Sequence, residues 1–372
     1  MKRIAAFTSL FIVLCLPLFF GTSCSSESTD PDKLTQDIMS KYKFNYDETL
    51  FTTYAWIRYA GHLQGKEMPD SEPVRMLISH LDSVMSERAR TDLLADYNKY
   101  YDQFDYMLEY IASVFAVNST PPPAIRCRLE ELATYRNVSD STDSWTLNRM
   151  REIAPLGEIL SSFYTENDIA DLIRACSPYY IETGKTYAGL AEAQISASIK
   201  FMRTLPAELS HIKEVRLIPN LLENANTEMG FQYMGVKYDI KGSNREARYH
   251  PHEFTHSLVA PSSRNDAYKQ RITAITSRIW ENVKDTPAGK SYRDPVSYFD
   301  ETLVRVISNI IYYDTQTGDG AARFNKMRET EESNGWILYS PVMQAVDQYR
   351  ESDKPFTEYF PLFLNQLEKS LS

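Results

Sequence analysis

The sequence predicts a mixed α+β protein in which helices predominate. Apolar residues recur at helical spacing up to about residue 205, two β-like runs follow, and an H-E-x-x-H motif then begins a further helical region. The content of 43% hydrophobic and 12% aromatic residues is sufficient for a large buried core. The net charge of −10 argues against nucleic-acid binding, which needs a basic surface.

The N-terminus has the pattern of a secretion signal. A short basic stretch precedes an apolar run over residues 4–20, and this run is too short for a membrane span. Cys24 follows small residues and resembles the lipobox cysteine of bacterial lipoproteins, which becomes acylated. Gly21 replaces the leucine that is usual in a lipobox, and a plain signal peptide cut near Ser23 is the alternative.

Four segments follow from this pattern. We expect a signal peptide over residues 1–23, a polar tether over 24–32, a helical N-terminal region over 33–205 and a second region over 206–372. The lipid on Cys24 would anchor the protein to the outer membrane of a bacterial cell envelope, on either its periplasmic or its outer face.

The helical N-terminal region is interrupted at turn-forming residues. Its clearest helical period spans residues 74–85, and we predict breaks at 65–69, 121–123, Pro155 and 177–178. The aromatic residues between 97 and 110 either line a ligand groove or, as we favour, pack between helices.

Only two cysteines follow Cys24, at positions 127 and 176, and they lack the spacing of a metal site. In an oxidising envelope they form one disulfide or remain as two buried thiols. The sequence favours neither.

The pattern changes after Pro206. Residues 215–218 predict a strand that ends at Pro219, and residues 229–240 predict a second β-like run with a bulge at Gly235. These residues either expose an edge strand to which an extended peptide can pair, or form a hairpin that only covers the core.

The H-E-x-x-H motif consists of His252, Glu253 and His256. Residues four apart share one helix face, so the two imidazoles can bind one tetrahedral Zn²⁺. Glu253 then lies beside the open coordination position, where it can accept a proton from water and pass it to a leaving group. The alternative is an amphipathic helix that carries two histidines by chance.

The boundaries of this helix are marked by an asparagine and two prolines. Asn244 is a candidate N-cap and Pro261 follows the predicted end. Pro251 predicts either a kink or a helix start at that residue.

A catalytic zinc site needs a third protein ligand, and no histidine follows His256. The ligand must then be a carboxylate, and Glu301 is the best candidate, with Asp300 and Glu281 in reserve. On a helix, Glu301 shares one face with Arg305, Ser308 and Tyr312. The opposite face is an apolar stripe formed by Leu303, Val306, Ile307 and Ile310. The alternative role of Glu301 is an exposed ion pair with Arg305.

H-E-x-x-H followed by a glutamate on a later helix resembles the gluzincin group of zinc metallopeptidases. The segment from residue 215 to the C-terminus is similar to gluzincin-like lipoproteins of Gram-negative gut bacteria, a family classed as a domain of unknown function. The resemblance implies a zincin-like metallopeptidase core in which His252, His256 and Glu301 bind zinc and Glu253 is the general base. Many gluzincins have an aspartate where this chain has Arg305, so the residues that orient the zinc ligands must differ here.

The expected function is therefore a membrane-anchored, zinc-dependent metallopeptidase that acts on a peptide or protein. The candidates for stabilising the charge of the transition state are Tyr312, Arg305, Tyr249 and His250. Two alternatives remain open: a non-catalytic lipoprotein that captures a nutrient or peptide, and a hydrolase that acts on another substrate.

Overall fold

A computed structural model of the chain describes residues 30–44, 46–130, 141–210, 212, 215–222, 229–233, 236–240, 251–292, 294–314 and 320–371. Helices predominate within these ranges, as the sequence predicts, and the strands form one four-stranded sheet. No helix in the described part of the chain is long and apolar enough to cross a membrane. The predicted signal peptide and Cys24 lie outside the described residues.

The N-terminal half consists of helices, several of which begin at a polar N-cap. Asp30, Asp47, Ser71 and Ser86 each accept a hydrogen bond from a backbone N–H in the first turn of the following helix. The helices are α1 (Pro31–Met39), α2 (Glu48–Leu63), α3 (Glu72–Val84), α4 (Glu87–Phe104), α5 (Leu108–Val117), α6 (Ser141–Ile153), α7 (Leu156–Glu166) and α8 (Ile169–Met202).

Helix α8 continues through the predicted break at residues 177–178, so that prediction is wrong. Pro178 lies inside this 34-residue helix. A proline in a helix interior removes one hydrogen bond and costs about 3 kcal/mol. Cys176 and Tyr180 on either side of it are buried, and their burial offsets that cost. The predicted breaks at 65–69, 121–123 and Pro155 do separate helices.

The buried side chains form two hydrophobic cores. The first core contains the buried faces of α2 to α7 and the first half of α8, with Trp56, Tyr59 and Phe115 among its largest members. The second core contains α1, the second half of α8 and the helices that follow the sheet. Helix α8 therefore contributes to both cores and connects the two halves of the protein.

The sheet contains β1 (Tyr42–Phe44), β2 (Val215–Pro219), β3 (Met229–Tyr233) and β4 (Val236–Ile240), in that order. Strand β1 is parallel to β2, and the other neighbours are antiparallel. The predicted strand at 215–218 is confirmed, and the run over 229–240 is a hairpin of two strands. The predicted bulge at Gly235 lies outside the described residues. Strand β4 is one edge of this sheet and lies beside the helix that carries the motif.

The C-terminal half is organised around one buried helix, α12. The helices here are α9 (His252–Ser263), α10 (Asp266–Val283), α11 (Pro287–Ser291), α12 (Pro295–Asp314), α13 (Gly320–Ser333), α14 (Tyr339–Arg350) and α15 (Phe356–Ser370). The predicted apolar stripe of α12 is buried, and so are Asp300, Glu301 and Tyr312 on its polar face. Buried polar groups require partners, and those partners form the candidate site.

The aromatic stretch of α4 and the residues after it divides between core and surface. Tyr97, Tyr100 and Phe104 are buried and pack between helices, as we favoured. Tyr101, Tyr106 and Tyr110 are exposed. Cys127 and Cys176 are free thiols. Burial raises the pKa of each thiol to about 11, which keeps both protonated and unreactive at neutral pH.

Candidate metal centre

The H-E-x-x-H motif occupies the start of α9. This helix begins at His252, immediately after Pro251, where a proline costs no helical hydrogen bond. The carbonyl of Pro251 accepts hydrogen bonds from the backbone N–H (3.0 Å) and the hydroxyl (2.8 Å) of Thr255, which completes the first turn. Of the two alternatives from the sequence, a kink at Pro251 or a helix start there, the structure has a helix start, with Pro251 as the N-cap residue and His252 as the first helical residue.

The end of α9 differs from the prediction. Pro261 lies inside the helix, which continues to Ser263. The helix survives the proline because the next turn is still bonded, with the N–H of Arg264 donating to the carbonyl of Ala260 at 3.0 Å. The predicted N-cap, Asn244, lies outside the described residues.

The two motif histidines lie one turn apart with their rings close together. The ring centroids of His252 and His256 are 5.0 Å apart and the ring planes are nearly perpendicular, at 87°. Their side chains are 19% and 13% exposed, so both rings are largely shielded from water. The backbone of Glu253 lies beside them in the first turn, whereas its side chain lies outside the described part of the structure.

Helix α12 places Glu301 against both imidazoles. Oε1 of Glu301 is 3.4 Å from Nε2 of His252, and Oε2 is 3.4 Å from Nε2 of His256. Ligand atoms at about 2.0–2.2 Å from a tetrahedral zinc lie about 3.4 Å from one another. One ligand atom from each of the three residues falls within 4.8 Å of the others. Two histidines and one glutamate form a ligand set of catalytic zinc sites, so these residues fit that ion.

The charge states of these residues also suit a cation. Burial lowers the pKa of the His252 imidazole, although the nearby Glu301 carboxylate opposes that effect. Burial acts to raise the pKa of Glu301, but His252, His256 and Arg305 outweigh it and hold that pKa well below its usual range. A neutral imidazole and an ionised carboxylate are the forms that bind a metal.

Each histidine has a polar neighbour at the nitrogen that points away from Glu301. Nδ1 of His252 is 3.4 Å from Oγ of Ser308, and Nδ1 of His256 is 3.8 Å from Oδ2 of Asp300. Both neighbours come from α12. Groups in this position set the tautomer and the ring orientation of a metal-binding histidine.

Asp300 is itself held in place by the end of α9. Its Oδ1 accepts a hydrogen bond from the hydroxyl of Ser263, and its Oδ2 is 3.3 Å from the guanidinium of Arg264. Burial acts to raise the pKa of Asp300, but Arg264, His256 and Ser263 together keep it below its usual range. Asp300 was a reserve candidate for the third ligand, and the structure places it beside Nδ1 of His256 instead.

The other predicted site residues have different outcomes. Arg305 lies at the site, with Nε 2.8 Å from Oε1 of Glu301. Tyr312 is buried further along α12, where its ring packs edge-to-face on Tyr313 at 4.8 Å. Tyr249 and His250 lie outside the described residues. Glu281, the second reserve ligand, is 78% exposed and paired with Lys284, so it does not reach the site.

Sequence reasoning missed one tyrosine that lies at the site. Tyr292 precedes α12 and interacts with Glu301 and Arg305, and its ring packs on Trp336 at 5.3 Å. Burial and the Glu301 charge raise the pKa of its hydroxyl well above the usual value, so the hydroxyl remains a donor at neutral pH. Nothing in the local sequence marks Tyr292 among 25 tyrosines.

The shifted pKa values predict that acid destabilises the metal-free protein. The pKa of Glu301 is lower in the folded state than in the unfolded state. Its contribution to the stability of the folded state is therefore present above the unfolded pKa of about 4.3 and is lost as the pH falls below that value. His252 also titrates at lower pH when folded, so the unfolded state binds more protons below about pH 6.5. Both groups therefore lower the stability of the folded state as the pH falls. Thermal unfolding midpoints should therefore fall steadily from pH 7 to pH 4, and a midpoint that rises over that range would contradict the assignment.

Replacing Asp300 with asparagine should weaken the binding of added zinc by about 10- to 100-fold, because the group that lies 3.8 Å from Nδ1 of His256 then loses its negative charge. Isothermal titration of the metal-free protein with zinc measures this change. Asp314→Asn is the matched control, because Asp314 lies at the far end of α12 in an ion pair with Arg350. Equal losses in both variants would show that Asp300 has no particular role at the site.

A comparison of the chain with models of protein families, with curated proteins and with solved structures finds no match.

Proposed function

We propose that this chain is a zinc-dependent metallopeptidase that hydrolyses peptide bonds with Glu253 as the general base. The observation that supports the proposal is the approach of Glu301 to the two motif histidines, although Glu301 lies 45 positions after His256 in the sequence. Two imidazoles and a buried carboxylate that converge from two different helices are what a metal site requires, and the presence of two histidines on one amphipathic helix does not by itself produce that convergence.

Each residue has a defined part in the proposal. His252, His256 and Glu301 hold the ion, while Ser308 and Asp300 fix the imidazoles. Bound zinc supplies a Lewis acid for the scissile carbonyl and lowers the pKa of a bound water toward 7.

Glu253 follows His252 directly in the sequence, and in this proposal its carboxylate accepts a proton from the attacking water and delivers it to the leaving amine. The charge that develops on the carbonyl oxygen needs a donor. The Tyr292 hydroxyl, which stays protonated at neutral pH, is a candidate for that donor.

The sheet supports a peptide as the substrate. Strand β4 is an edge of the described sheet and lies beside α9. An edge strand offers unpaired backbone groups to an extended polypeptide, and such pairing would lay the substrate along the motif helix. A lipid on Cys24 would hold the enzyme at the cell envelope, in reach of peptides on one side of the membrane.

Zinc-loaded protein should cleave members of a library of unfolded peptides, with the new termini identified by mass spectrometry. A chelator should stop cleavage, and added zinc should restore it. If the protein binds stoichiometric zinc but cleaves no peptide, proteolysis is the wrong assignment, and a binding lipoprotein or a hydrolase of another substrate would take its place.

A further inference from the structure

The two oxygens of Glu301 have different surroundings, because one of them also faces a cation of the protein. Nε of Arg305 is 2.8 Å from Oε1, the oxygen that faces His252, whereas Oε2 faces His256. Among the described residues, this Nε makes no aligned hydrogen bond, so the contact is an ion pair. Arg305 lies one turn after Glu301 on α12, and the helix itself sets their separation.

Arg305 is anchored from outside its own helix. One terminal nitrogen donates to both carboxylate oxygens of Glu331 on α13, at 3.1 and 3.3 Å. The guanidinium lies over the ring of Trp336, 4.5 Å from its centroid. Trp336 in turn stacks on Tyr298 at 5.2 Å with an interplanar angle of 11°. These contacts fix the guanidinium independently of Glu301.

The arrangement differs from an ordinary surface ion pair. The side chains of Glu301, Glu331 and Arg305 are 5%, 17% and 30% exposed. Exposed pairs at this spacing contribute little, because water competes with the contact and the side chains lose freedom when they pair. Here the guanidinium is already held by Glu331 and Trp336, so little further freedom is lost on meeting Glu301.

We propose that Arg305 is a positioning residue for Glu301: from its anchor on Glu331 and Trp336 it retains Oε1 and leaves Oε2 as the single oxygen that Glu301 offers to a metal ion. This inference rests on the proposed zinc site. A glutamate that binds through one oxygen leaves a coordination position open, which a catalytic site needs for water and substrate. The residue that departs from the gluzincin pattern thus acquires a role at the same carboxylate.

A positioning role for Arg305 and a role in charge alone predict opposite changes in metal affinity when Arg305 is removed. A cation beside the ligand repels a metal ion, so a role in charge alone predicts tighter metal binding when Arg305 is removed. A positioning role predicts weaker binding, since the loss of a group that orients a ligand costs about 10- to 100-fold in affinity.

Co²⁺ is the probe for the experiment, because its visible absorption is intense in a four-coordinate site and weakens as the coordination number rises. Metal-free wild type, Arg305→Met and Arg305→Lys are titrated with Co²⁺, and affinities are measured against a competing chelator. Arg271→Met is the matched control. Arg271 is 28% exposed, bridges α10 to α15 through Glu368 and contacts none of the three candidate ligands.

The proposal expects both Arg305 variants to bind Co²⁺ about 10- to 100-fold more weakly and with weaker absorption. Lysine keeps the positive charge of arginine but lacks its planar guanidinium, so Arg305→Lys should recover little of the wild-type affinity and absorption. The control should lower the unfolding midpoint and leave the spectrum unchanged.

Three other results would overturn it. Unchanged affinity and spectrum in Arg305→Met would remove the positioning role and leave the metal site intact. Tighter binding in Arg305→Met, with wild-type behaviour in Arg305→Lys, would assign Arg305 a role in charge alone. If wild type itself binds no Co²⁺, the proposed function fails, and this inference fails with it.

Discussion

Glu253→Gln is expected to lower peptide hydrolysis by about 10²- to 10⁴-fold while zinc binding stays unchanged. Glutamine has the size and shape of glutamate but cannot accept the proton of the attacking water. Zinc should remain because the proposed ligand set is His252, His256 and Glu301, and Glu253 is not part of it. The measurement pairs kcat on a cleaved peptide with the zinc content of the same sample.

Glu281→Gln is the control for this substitution. Glu281 lies on α10, is exposed and is paired with Lys284 just after the end of that helix, so the same chemical change there should leave hydrolysis at the wild-type rate. If Glu253→Gln kept full activity with zinc bound, another group would have to serve as the base, and the assignment of Glu253 would be wrong.

Glu301→Ala is expected to weaken zinc binding by more than about 100-fold, because it removes a ligand, and the loss of a group that only orients a ligand already costs about 10- to 100-fold. The affinity is measured by competition with a chelator of known zinc affinity. Glu301→Gln should also bind zinc weakly, because a neutral amide is a poorer ligand than a carboxylate. This second variant keeps the shape of a buried side chain and so separates metal binding from folding.

Glu281→Ala is again the control, since the sequence offers Glu281 as a reserve ligand and the structure places it on an exposed face. Unchanged zinc affinity in Glu301→Ala would exclude this carboxylate as the third ligand. Weak binding in Glu281→Ala alone would point to a different arrangement of the chain.

The core of the candidate site could be predicted from the sequence because it follows from helix geometry. The spacing of His252 and His256 places both on one face, and the apolar stripe of α12 places Glu301, Arg305 and Ser308 together on the other side of that helix. Each of these statements needs only a period of 3.6 residues. The structure brings all five residues into one cluster.

The groups around that core depend on how helices pack, and the sequence does not encode this locally. Asp300 reaches His256 because the end of α9 approaches α12, where Ser263 and Arg264 hold the carboxylate. Tyr292 reaches Glu301 from the segment before α12. Such approaches are set by the angle between two helices, so a pattern within one segment cannot predict them.

The errors in the fold have the same origin. Proline ends an isolated helix, yet Pro178 and Pro261 lie inside α8 and α9, because packing of the flanking residues offsets the lost hydrogen bond. Strand β1 escaped prediction because it has three residues and pairs with β2, which is more than 170 residues away in the chain. Tertiary contacts override local preference in each case.

The metal content of the purified protein shows whether His252, His256 and Glu301 hold a zinc ion together. Wild type is incubated with zinc, freed of loosely bound ions by gel filtration and analysed by mass spectrometry of its metals, beside a variant in which His252 and His256 are both alanine. One tightly bound zinc is expected per wild-type chain, and none in the variant. Zinc at the same low level in both proteins would contradict that expectation.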